Sequence, residues 1–153
     1  MRFREGAVST LLGLIVLLAA AQSSMAGEAR RINAGADNVA IEGYDTVAYF
    51  TMGRPMKGDP EFTYSWNGAT WQFSEAEHRD MFAEEPERYA PQFGGFCSMA
   101  LAYGQIAEVD PEVWTIVDGK LYLNFNKSVR EKFRRNLKEN IKKADENWRN
   151  TSP

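Results

Sequence analysis

Two dipeptides constrain the fold of this chain more than any other feature in it. Asn67-Gly68 lies inside FTYSWNGATWQF, Phe62 to Phe73, and Asp118-Gly119 lies inside VWTIVDGKLYLNF, Val113 to Phe125. Both dipeptides accept positive φ at the two central positions of a tight turn, and the β-branched and aromatic residues around them supply strands. Each segment therefore predicts a β-hairpin, and the two hairpins are expected to share one antiparallel sheet.

The segments between and after them read as helices and turns. Gly43, Asp45, Gly53 and Pro55 punctuate a short apolar run that packs Val47, Tyr49 and Phe50. Ser74, with Glu77 three residues on, predicts a capping box that opens a helix carrying His78, Met81 and Phe82, with the last two facing the core. Pro86 suits the first position of another helical turn, because its missing N–H is harmless there. Gly94 to Gly104 predicts a flexible turn followed by a short helix beginning near Cys97. From Lys127 to Trp148, the residues Val129, Phe133, Leu137, Ile141, Ala144 and Trp148 recur at steps of three or four, the stripe of one long amphipathic helix. The fold class is α+β: a small antiparallel sheet of two hairpins packed by helices, ending in that helix. No internal repeat is read along the chain.

The N-terminus bears on compartment. Met1-Arg2-Phe3-Arg4 leads into the apolar Leu11 to Ala21 and then Ser24-Met25-Ala26, the charged start, apolar run and small-residue triplet of a secretory signal peptide. Residues 1–26 are thus expected to be removed, 27–38 to form a flexible lead-in, and 39–150 to form the folded domain. The product is expected to be periplasmic or secreted, with no membrane association after cleavage. Cleavage would leave 153 less 26, or 127, residues, and loss of Arg2, Arg4 and Glu5 would take the net charge from −3 to −4. Mild acidity argues against nucleic acid as a partner, and the Lys/Arg run near Arg134 reads as a solvated helix face.

An exported chain with one cysteine cannot close an internal disulfide. Cys97 is then buried and inert, paired with a thiol partner protein, or kept as a reactive thiol. In the first turn of a helix, backbone N–H groups and the helix dipole favour the thiolate. The plainer alternative is that Phe96, Cys97 and Met99 fill the core. His78 is the only histidine, and reads either as a boundary residue or as a ligand. Cys97 and His78, with Met99 or Met81, would suit a soft ion such as copper in its Cu(I) state, which prefers thiolate, thioether and imidazole. A hydrolytic pair would also need an orienting group and oxyanion donors, neither of which the sequence supplies. Tyr44, Tyr49, Tyr64, Trp66, Trp71 and Tyr89 could line a pocket for a small apolar ligand or simply pack the hairpins.

The stretch WQFSEAEHRDMFAEEPERYAPQFGGFC resembles a YHS domain, whose pattern is an aromatic strand, a helix with a phenylalanine, and Asn-Pro-Glu-Lys-Tyr. Here the last element stands as Glu85-Pro86-Glu87-Arg88-Tyr89. GYDTVAYF, NGATWQF, GGFC, WTIVDGKLYLN and IKKADENW extend the similarity to the exported bacterial YHS-domain (seleno)protein family, over Val39 to Trp148. Thr46 departs from a proline common in that family. Metal-associated YHS domains carry two cysteines four residues apart, where this chain has Ser74 and His78, so their site does not transfer whole. The resemblance implies a nucleophilic or redox role for Cys97, at the position where selenocysteine can stand. Three functions follow as expectations: a binding module presenting Cys97 and His78 to a metal ion or thiol partner, a redox protein acting through Cys97 with an external resolving thiol, and a non-catalytic interaction domain with an inert cysteine.

Overall fold

Both glycine dipeptides turn the chain as their chemistry requires. The computed structural model describes residues 31–151; the expected signal peptide lies outside them. Asn67 and Gly68 have φ of 51° and 80°, and Asp118 and Gly119 have φ of 51° and 71°. These close β1 (Asp59–Trp66) on β2 (Ala69–Phe73) and β3 (Asp110–Val117) on β4 (Lys120–Asn124), both antiparallel, with Trp66 opposite Ala69 and Val117 opposite Lys120. The α+β class holds, but the hairpins form two separate two-stranded sheets rather than one. The free edge of β2 is occupied instead: Ala40 N–H donates to Thr70 O and Thr70 N–H donates to Asn38 O, at 2.8 and 2.9 Å.

An internal repeat is present after all. After its hairpin the first half forms α2 (Ala76–Glu84) and then α3 (Pro86–Tyr89), and the second forms α5 (Lys127–Arg135) and then α6 (Leu137–Thr151). Strand starts (59 and 110), helix starts (76 and 127) and following helix starts (86 and 137) are all offset by 51. The short helices α1 (Ala48–Thr51) and α4 (Ser98–Ala102) precede the hairpins, each after a 3-10 turn, Ile41–Gly43 and Gln92–Gly95. Side chains follow the offset. Asp59 and Asp110 each accept from the backbone two residues on, at 2.8 and 2.9 Å, and Phe82 and Phe133 are both completely buried. Phe82 packs against Trp71 and Phe73 with ring centroids 4.9 and 5.1 Å apart, while Phe133 packs against Tyr122 at 5.6 Å.

Three local expectations are corrected. The α2 helix opens at Ala76 with Glu75 at the N-cap and no side-chain cap; Ser74 stands one residue before that position, and its hydroxyl donates to Asp45 Oδ2 at 2.6 Å. The C-terminal stripe is divided at Asn136, whose φ of −128° and ψ of 53° leave the helical region. Asn140 Nδ2 donates to Phe133 O at 2.9 Å and to Lys132 O at 3.3 Å, satisfying carbonyls that the end of α5 would otherwise leave unpaired. Its apolar face still packs on the core through Val129, Phe133, Leu137, Ile141, Ala144 and Trp148. Finally, the segment from Asn33 is tied down: Asn33 N–H donates to Gly94 O at 2.8 Å and Ile41 N–H donates to Asn33 O at 2.9 Å.

Candidate functional site

His78 sits on the first turn of α2 and is buried, with only 3% of its surface exposed. Its Nδ1 is 2.6 Å from Asp45 Oδ2, and its Nε2 is 3.0 Å from Thr51 Oγ1 and 3.2 Å from Glu75 Oε1. Asp45 is wholly buried and also accepts from Val47 N–H and Ala48 N–H on Oδ1, and from the backbone and hydroxyl of Ser74 on Oδ2. A buried carboxylate is tolerated only when so fully hydrogen-bonded. The cluster pins the start of α1 to the junction of β2 and α2. With Nδ1 donating to Asp45, Nε2 either accepts from the Thr51 hydroxyl or donates to it and to Glu75. Both ring nitrogens are therefore engaged within the protein.

Cys97 precedes α4 and is 1% exposed. Its backbone N–H donates to Ala107 O at 2.9 Å, and Asn124 Nδ2, at the end of β4, lies 3.8 Å from Sγ. The neighbouring Ser98 Oγ and Asn124 Oδ1 are buried without a hydrogen-bond partner. Cys97 thus joins the core, beside a small polar lining. By the internal offset its counterpart is Thr46, also fully buried.

Cys97 and His78 share no hydrogen-bond partner among the described residues. Each is held by different partners, His78 in the first repeat and Cys97 in the second, and no hydrogen bond links them among the described residues. Met99 is buried in the core and Met81 packs against it. A soft-metal set of Cys97, His78 and either methionine does not fit this arrangement, because both imidazole nitrogens are committed. Among the described residues no group of three or more His, Cys, Asp or Glu side chains is disposed to hold a metal ion.

Most of the expected pocket tyrosines and tryptophans pack or bridge. Tyr49 OH donates to Pro111 O at 2.7 Å and Tyr44 OH to Glu112 Oε1 at 3.0 Å, linking the first repeat to β3. Burial raises both phenols above their usual range, and for Tyr44 the Glu112 carboxylate adds to the rise. Trp66 is different. With Phe93, Gly94 and Trp148 it lines a cleft of about 610 Å³ where the hairpin tip of the first repeat meets the second, rimmed by Glu87, Lys120, Asp145 and Arg149. Sequence reading missed Phe93 and Trp148 as cleft residues, because their positions in a turn and on a helical stripe mark them only as core. The matched DPE and NG/DG spacings that reveal the repeat were the available signal for the junction.

No family model, curated protein or solved structure matches the chain. Among the described residues no helix is long and apolar enough to cross a membrane.

Proposed function

We propose that this chain is an exported, non-catalytic binding module of the YHS type, with a ligand seat in the cleft bounded by Trp66 and Trp148. The observation that carries the reading is the cleft itself. It lies at the repeat junction, its 610 Å³ falls within the range of roughly 300–1,000 Å³ common for small-molecule sites, and it combines aromatic walls with a charged rim. Cys97 and His78, by contrast, are buried and committed to partners inside the fold. The ligand that suits the cleft is a small planar molecule with polar substituents, stacking on indole and reaching Lys120 or Glu87.

Titration with indole, followed by backbone amide shifts, tests this. Saturable shifts at Trp66, Asn67, Phe93, Gly94 and Lys120 are expected. Their absence, with changes clustered around Cys97 instead, contradicts the reading.

One observation favours a thiol reading as runner-up. Ser98 Oγ and Asn124 Oδ1 lack partners beside Sγ, and such groups are a cost that a functional site can explain. In that reading a peroxide oxidises the Cys97 thiolate to sulfenic acid, releasing hydroxide, and an external thiol condenses with it to a mixed disulfide, releasing water.

A further inference from the structure

Residues 127–143 carry eight cations and two carboxylates, a net +6 in a chain of net −3, which leaves −9 for the rest. Sequence alone makes this a solvated helix face. Folding gives it a shape: α4, α5 and α6 enclose a groove of about 560 Å³ lined in part by Tyr103, Lys132, Arg135, Asn136, Glu139 and Lys143. We infer that this groove is a second binding site, for the phosphate group of a small phosphorylated ligand.

The charge balance within the groove supports this. Glu139, the one carboxylate in the lining, is held by Lys143 at 2.6 Å. Glu131 is engaged by Arg130 and Arg134 at 3.6 and 3.7 Å, so it does not offset the groove cations. Lys132 and Arg135 are exposed and make no ion pair among the described residues. They stand three residues apart on α5, close enough to act on one oxyanion, as a point charge and a planar fork. Such charge-assisted hydrogen bonds are the stronger kind. The groove exceeds the needs of a bare phosphate, and Tyr103, 73% exposed at its edge, offers a ring for the rest of the ligand to stack on. The carbonyls that would repel an anion are capped: Asn140 holds those of Lys132 and Phe133, and Asn147 holds those of Leu101 and Ala102.

This site is independent of the aromatic cleft. The test is titration of the folded chain with inorganic pyrophosphate, read by backbone amide shifts and calorimetry, in parallel with sedimentation against phosphatidylglycerol vesicles. Saturable shifts at Tyr103, Arg135 and Asn136 are expected. The Lys132→Gln/Arg135→Gln double variant should weaken binding by about tenfold or more, as loss of two charge-assisted contacts requires. The Lys127→Gln/Lys142→Gln control, which removes the same charge from exposed positions outside the lining, should leave affinity within about threefold. Pyrophosphate binding without vesicle binding assigns the phosphate to a soluble ligand, and vesicle binding with the same variant sensitivity assigns it to a lipid headgroup; either upholds the phosphate chemistry. Equal weakening by the two double variants, or no saturable binding of either probe, overturns the site.

Discussion

His78 Nδ1 and Asp45 Oδ2 are 2.6 Å apart, and neither side chain is more than 4% exposed. The pair joins residues 33 positions apart and closes the first repeat around α1. It is buried and supported by four further donors on Asp45, which makes it a framework element in which each member depends on the other.

Asp45→Ala should therefore cost on the order of 3 kcal/mol, because it leaves several buried donors without their acceptor. Urea denaturation of Asp45→Ala, His78→Ala and the double variant gives the coupling. A positive interaction of about 1 kcal/mol or more is expected from residues in direct contact. Additive losses would mean that Asp45 acts through its backbone donors alone.

Glycine positions give a second contrast. A Cβ on Gly94 would clash with Arg31 O and lie 3.2 Å from the Trp148 ring, at φ +62°. Gly119, at φ +71°, has open space around it. Gly119→Ala should show only the conformational cost of roughly 1 kcal/mol, and Gly94→Ala a distinctly larger loss, since the extended segment at 31–33 must also move. Equal midpoints in chemical denaturation would refute the tight packing of that segment.

Alkali should act through two buried phenols. Burial pushes Tyr122 up to about 12 and Tyr49 higher still. A raised folded value means that the stability these residues confer is complete below the unfolded pKa of about 10 and declines as pH rises from there through the folded values. Spectrophotometric titration at the phenolate band should find Tyr49 and Tyr122 lagging furthest among the six tyrosines, with Tyr44 also delayed, and denaturation midpoints should fall steadily above about pH 10. Tyr122→Phe should shrink the fall. A flat stability profile up to pH 12 would contradict it.

Much of this architecture was legible because it is local. Asn67-Gly68 and Asp118-Gly119 impose turns through backbone sterics alone, and the stripe from Val129 to Trp148 needs only helical spacing. The failures all involve long-range partners. Ser74 looks like a helix cap, but the helix starts one residue later, after Glu75, and Ser74 is held instead by Asp45, 29 residues earlier. The division of the last helix depends on Asn140 reaching back to Phe133 O. His78 reads as a boundary residue because its neighbours on α2 are charged, whereas its burial comes from the segment around Asp45 and Thr51. The repeat escaped notice because few residue identities survive the 51-residue offset, chiefly Asp-Pro-Glu at 59 and 110, the turn glycines at 68 and 119, and Phe82 with Phe133. Helix lengths and turn conformations preserve what the side chains do not.

Whether Cys97 belongs to the framework or to a site is read most directly from the alkylation rate of the folded chain near neutral pH, compared with the same chain in denaturant. Burial of the sulfur predicts that the thiol resists iodoacetamide in the native protein and reacts fully once the protein is unfolded. Reaction of the native thiol at the rate of a free cysteine, or its trapping by a sulfenic-acid probe after peroxide treatment, would contradict the framework role and move the function back to Cys97.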